Sequence, residues 1–123
     1  TAASTISQKA AVEALTAGLL DAAVMKEEYR KRRDFVYDEM SQLGFEVAKP
    51  AGAFYLFAKI PAGYLQDSMA FCVDLVDKNK LAVIQGVAFG IEGEGYVRVS
   101  DAAEMASLKE AMTRLAAYMA NTK

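Results

Sequence analysis

The sequence predicts an α+β domain of two layers, with helices packed on one face of a small mixed sheet. Three observations lead there. A chain of 123 residues, 54% of them apolar, is long enough for one compact core and too short for two. Its apolar residues recur at helical spacing in some segments and alternate, or run unbroken, in others. The resulting order is two helices, two strands, a helix, two strands and a helix, which suits helices segregated to one side of a sheet.

Thr5-Ile6-Ser7-Gln8 reads as a capping box, so a helix is expected to start at Ile6 and run through Ala11, Val12 and Leu15 toward Gly18. Small residues dominate it, which suits close packing against a neighbour that need not belong to this chain. A longer helix is expected over residues 21–43, with Val24, Met25, Tyr29, Arg32, Val36, Met40 and Leu43 at helical spacing and Gly44 as its stop. The charged run over residues 26–34 mixes both signs at helical offsets, the pattern of a solvated, salt-bridged face rather than a basic patch.

Beyond Gly44 the pattern changes to strands. Phe45-Glu46-Val47 alternates, whereas residues 53–58 are apolar on both faces and predict a strand covered on both sides. Pro50-Ala51-Gly52 is a turn, and the strands it joins are expected to pair antiparallel. Asp67 or Ser68 caps a helix carrying Met69, Phe71, Cys72, Leu75 and Val76, which Asn79 ends. Leu81-Ala82-Val83-Ile84 forms a further short strand, and the helix before it acts as a crossover, hence the expectation of a mixed sheet. A glycine-rich loop from Gly86 to Gly95 leads into the strand Tyr96-Val97-Arg98-Val99-Ser100. Asp101, three residues before Glu104, then opens a last helix through Met105, Leu108, Met112, Leu115 and Met119.

Composition narrows the function. The net charge is −2 with both signs interleaved, so there is no footprint for nucleic acid. The longest apolar stretches fall short of a membrane span, and the first residues show no basic region followed by an apolar signal core. A single cysteine, Cys72, and no histidine argue against a disulfide, a zinc site or a Cys-His pair. Cys72 is read as a small core residue of a reducing, cytoplasmic protein. The methionines at helical spacing are core filler. The chain opens Thr1-Ala2-Ala3-Ser4, and is therefore expected to be part of something longer.

Arg98 is the residue that calls for chemistry. Tyr96, Arg98 and Ser100 share one face of their strand and Val97 and Val99 the other, which aims the guanidinium into a partly desolvated space. A buried charge needs a partner. Its planar fork suits a carboxylate bidentately, either from a small molecule or from Glu92, Glu94 or Asp101. Spacing alone favours the intramolecular pair. The glycine loop lacks the Gly-Lys-Ser/Thr of a P-loop and is followed by a strand, so it is expected to be a flexible or hairpin connection rather than a phosphate cradle. Lys59, at a strand end before Ile60-Pro61, reads as a solvated amine rather than a Schiff-base lysine.

Three segments together carry a resemblance: Pro50-Ala51-Gly52-Ala53-Phe54-Tyr55-Leu56-Phe57, Val83-Ile84-Gln85-Gly86-Val87-Ala88-Phe89-Gly90, and Gly93-Glu94-Gly95-Tyr96-Val97-Arg98-Val99-Ser100. In order and spacing they resemble the C-terminal part of class I/II pyridoxal-phosphate-dependent aminotransferases of fold type I. Ser7-Gln8, then Tyr29, Arg33 and Asp34, then the closing helix extend the likeness over essentially the whole chain. The resemblance implies that residues 1–123 form a single C-terminal small domain, with the large cofactor-binding domain absent. It implies that Arg98 grips a substrate α-carboxylate, with Phe89 and Gly52 also at the substrate. Pyridoxal 5'-phosphate, its aldimine lysine, the partner of its pyridine nitrogen and its phosphate site would then belong to the large domain, leaving this chain inactive alone. Substrates would be an amino acid, aromatic or of broad range, and a 2-oxo acid, and the intact enzyme a homodimer. Gln85, Val87 and Asp101 depart from the family's usual residues. The competing expectation is a non-enzymatic ligand-binding or interaction domain, as in a transcriptional regulator, with Arg98 tied to Glu94 or Asp101.

Overall fold

The computed structural model describes residues 2–122. In chain order its elements are α1 (Thr5–Thr16), α2 (Ala23–Gln42), β1 (Glu46–Val47), β2 (Tyr55–Lys59), α3 (Ser68–Asn79), β3 (Ile84–Gln85), β4 (Tyr96–Ser100) and α4 (Met105–Asn121). The strands form one sheet in the order β1-β2-β4-β3. The two-layer α+β architecture is the one the sequence predicted.

Local chemistry accounts for the helix ends. Ser4 caps α1: its Oγ accepts from the Ser7 N–H at 3.3 Å, while Gln8 donates back to the Ala3 carbonyl at 2.7 Å. The expected capping box from Thr5 is corrected: Ser4 is the cap, and Gln8 donates to a carbonyl instead of accepting the cap's backbone N–H. Gly44, at φ 90°, stops α2 as expected. Asp67 caps α3 through the Ala70 N–H. The left-handed residue that ends α3 is Lys80 (φ 54°) rather than Asn79.

Strand alternation builds the core. Leu56 and Ala58 of β2 and Val97 and Val99 of β4 face the helices. They pack with Val36 and Met40 of α2, Phe71, Cys72 and Leu75 of α3, and Leu108, Met112, Leu115, Tyr118 and Met119 of α4. Tyr118 is fully buried and donates its hydroxyl to Asp74 at 2.8 Å. Its body thus fills the core while its polar tip is satisfied.

Four expectations are corrected. All three neighbouring strand pairs are antiparallel rather than mixed. The α3 crossover does return β3 in the direction of β2, but β4 inserts between them and pairs antiparallel with both. Next, β2 is covered on one face only: Tyr55 and Phe57 remain 38% exposed because no helix among the described residues lies over them. An apolar run shows that a strand has two apolar faces, not what covers each. Third, the expected strand over residues 81–84 is reduced to Ile84–Gln85, since only these two residues register with β4, while Leu81 and Val83 pack on the core from an irregular segment. Last, the glycine-rich loop is ordered into two 3-10 turns, Gly86–Phe89 and Ile91–Gly93. The backbones of Gly86 and Gly93 pack directly on each other, leaving no room for a Cβ at either.

Candidate functional site

Antiparallel pairing of β2 with β4 sets Tyr55 opposite Ser100, Phe57 opposite Arg98 and Lys59 opposite Tyr96. These residues share the sheet face turned away from the helices. The turn at Gly86–Phe89 delivers Phe89 to the same face. The Arg98 Cζ lies over the Tyr55 ring, 4.2 Å from its centroid, and over the Phe89 ring at 4.5 Å. Phe57 meets Phe89 edge-on at 6.2 Å and stacks on Tyr96 at 5.3 Å with 11° between the ring planes. A half-buried guanidinium is therefore enclosed by aromatic rings.

Arg98 is not paired with any carboxylate of the described residues. Among the described residues, none comes within the 4.0 Å of an ion pair with it. Glu94 is engaged elsewhere, accepting the backbone N–H of Ser68 at 2.5 Å and of Gly95 at 3.1 Å. Those two bonds, Ser68 first, hold its carboxyl below the usual range. Asp101 is 1% exposed and neither carboxyl oxygen has a hydrogen-bond partner. Burial raises its pKa, against the weaker pull of its own backbone N–H and then of Arg33 and Arg32. The expected helix cap at Asp101 is corrected: α4 begins after Glu104, with no side-chain cap, and Asp101 is turned inward instead. The pairs with Glu92, Glu94 or Asp101 that spacing favoured are thus not formed.

Arg98 and Phe89 come together; no contact places Gly52 with them. Gly52 borders a separate hollow of about 190 Å³ with Lys26, Tyr29, Arg30, Arg33, Ala51 and Ala53. The segment around it is tied to α2 by Arg33, whose Nη1 donates to the Pro50 carbonyl at 3.1 Å while Nε and Nη2 hold Asp34 at 3.1 and 2.8 Å. Lys49 also meets Asp34, at 3.0 Å. Its hydrogen bonds to Lys49 and then Arg33 lower the Asp34 pKa. Sequence reasoning missed Tyr55 and Phe57 as site residues. Their parity on an alternating strand was the available signal, but only the register shows that this face is the one bearing Arg98.

The residues present do not fit a pyridoxal-phosphate cradle. Lys59, the amine on this face, is half-exposed and pairs with Glu46 across the β1–β2 edge at 3.8 Å. Cys72 is buried, which pushes its thiol up to about 11 and leaves it unreactive. Among the described residues no group of three or more His, Cys, Asp or Glu could hold a metal, and no helix is long and apolar enough to cross a membrane.

Residues 1–115 match the family model described as aminotransferase class I and II. The chain belongs to this family, whose pyridoxal-phosphate-dependent members of fold type I the fold also matches. Over 117 residues it is 44% identical to the "Probable N-acetyl-LL-diaminopimelate aminotransferase" of Bacillus subtilis, covering 95% of this chain and 30% of the relative. It is 41% identical over 91 residues to an aromatic-amino-acid aminotransferase of Thermococcus litoralis, covering 74% of this chain and 23% of that one. Aspartate aminotransferase from Rhizobium meliloti superposes with a TM-score of 0.86 at 33% identity, over 98% of this chain and 32% of that one. The chain thus spans about a quarter to a third of the length of these relatives.

Proposed function

We propose that residues 1–123 are the C-terminal small, substrate-binding domain of a cytoplasmic, homodimeric pyridoxal-phosphate-dependent aminotransferase. The observation that carries this reading is Arg98, a half-buried guanidinium on the open sheet face with no carboxylate of the described residues to neutralise it. A buried charge without a counterion is costly. The α-carboxylate of an amino acid or 2-oxo acid would supply the counterion and accept two parallel N–H bonds. Phe89 and Tyr55 border the anchor, and the surrounding rings favour substrates with aromatic or large apolar side chains. Gly52 enters as a substrate-side residue of the neighbouring loop.

Arg98 acts by position. Fixing the carboxylate fixes the direction of the substrate's Cα–H bond, a proximity effect worth far more than added affinity. Proton transfer and cofactor binding are assigned to residues outside these 123, because Lys59, the amine on the Arg98 face, is half-exposed and paired with Glu46. The same 123 residues alone are expected to be inactive. A purely interaction-module reading needed Arg98 tied to Glu94 or Asp101; Glu94 is held by the backbone of Ser68 and Gly95, and Asp101 is turned into the interior with its carboxyl oxygens unpaired among the described residues.

The test is Arg98→Lys in the full-length enzyme. The lysine keeps the charge and loses the fork, so kcat/KM for amino acids and for 2-oxo acids should fall about 100-fold. Cofactor absorbance should be unchanged. Unaltered turnover would remove Arg98 from the site.

A further inference from the structure

We propose that Tyr55 and Phe89 form an aromatic clamp that positions the Arg98 fork for carboxylate. The inference rests on the carboxylate role proposed above and adds what holds the arginine ready for it. A guanidinium has two kinds of surface: its faces, which interact with π-systems, and its plane, in which all five N–H groups point. Tyr55 and Phe89 lie within 4.2 and 4.5 Å of its Cζ. Both contacts are made through ring faces, and no hydrogen bond joins Arg98 to another described side chain. Cation–π contact therefore restrains the group and compensates part of its desolvation while the in-plane donors stay available.

An acidic partner could restrain Arg98 equally well, but it would occupy the donors that a ligand needs and add a negative charge that repels it. The aromatic solution avoids both effects. It is also braced: Phe57 supports Phe89 edge-on and is itself stacked on Tyr96, and Phe54 packs beside Tyr55 with ring centroids 4.6 Å apart. The rings that form the clamp come from separate parts of the chain, β2 and the turn before Gly90. Their convergence on one cation follows from β4 lying beside both. The chain of contacts runs on from Phe54 to Tyr29 of α2, at 6.1 Å. Tyr55 and Phe89 are positioning residues. They act on the substrate through Arg98.

The experiment titrates the 123-residue chain and the full-length enzyme with 3-phenylpropionate and, separately, with acetate. It follows the Arg98 Nε–H resonance in the chain and initial rates in the enzyme. Variants are Tyr55→Leu, Phe89→Leu, their combination, Tyr55→Phe, and Arg98→Lys. The double variant should weaken acetate binding about five- to tenfold and speed exchange of the Nε–H with water, while Tyr55→Phe restores both. In the enzyme the loss should fall on KM for both amino acid and 2-oxo acid, with the cofactor spectrum unchanged. Tyr55 and Phe89 are exposed, so the amide spectrum of each variant should otherwise match the parent. If Arg98→Lys abolishes carboxylate binding but the double variant binds and exchanges like the parent, the clamp is wrong and the carboxylate role stands. If Arg98→Lys also binds like the parent, or the parent binds no carboxylate in either form, the carboxylate role itself is overturned. Loss of 3-phenylpropionate binding with acetate binding intact would also reject the clamp, showing the rings to contact the substrate side chain only.

Discussion

Asp101 shows how one side chain can oppose its own fold. It is 1% exposed and both carboxyl oxygens lack hydrogen-bond partners among the described residues. Burial disfavours its charged form, and its own backbone N–H, with the positive charges of Arg33 and Arg32, offsets that only in part. The folded protein therefore holds this proton more tightly than the unfolded chain. Its contribution to stability is intact below the ordinary carboxylate pKa and is lost as pH rises through the raised folded value. Replacing Asp101 by Asn removes the charge while keeping the shape. Urea midpoints should show the variant about 1–2 kcal/mol more stable at neutral pH. They should also show a parent whose stability declines across mildly acidic pH more steeply than that of D101N. Equal pH profiles would mean that Asp101 has found a partner. In the sequence this residue looked like a helix cap because its spacing to Glu104 is right for one. Spacing does not reveal which way the chain turns after β4.

Among elements, the segment joining β3 to β4 carries the heaviest constraint. Gly86 is buried where an added Cβ would meet the Gly93 carbonyl and the backbone of Tyr96, whereas the same atom at Gly52 would meet nothing within 4 Å. Gly86→Ala should therefore destabilise by about 3 kcal/mol or more and displace Phe89 from Arg98. Gly52→Ala should fall within about 0.5 kcal/mol of the parent. Thermal melts of the two variants, with the Arg98 Nε–H resonance as the local reporter, check both. A similar effect of the two substitutions would remove the distinction. The glycines were legible in the sequence as a loop, but two different demands had selected them. Gly90 and Gly95 supply positive φ, at 124° and 78°, and Gly86 with Gly93 supply close backbone approach. Only the second is a tertiary demand, which is why a flexible connection was expected and an ordered pair of turns was found.

Across the whole molecule, order is unevenly supported. No residue of α1 is buried, and Ile6, Val12, Leu15, Leu19, Leu20, Val24 and Met25 are all exposed. The second half of α2 joins the core through Val36 and Met40, together with β2, β4, α3 and α4. Native-state hydrogen exchange of this chain should accordingly show α1 amides opening with almost no free-energy cost, while those of β2, β4 and α4 open only with global unfolding. Protection of α1 equal to that of β4 would show that the helix has a partner in solution. Helical and strand periods, the Asp67 cap, the Gly44 stop and the parity of Arg98 were all determined by the sequence, because each depends on neighbours within a few positions. So was family membership, which the three glycine- and aromatic-rich segments carried together. The tertiary structure alone decided that β4 enters between β2 and β3, making every pair antiparallel. It alone decided that Arg98 meets rings from β2 and from the turn before Gly90 instead of the acids beside it in sequence, and that Asp101 is buried without a partner. Those outcomes depend on which distant segments share a sheet face, and a local pattern carries no record of the segment packed against it.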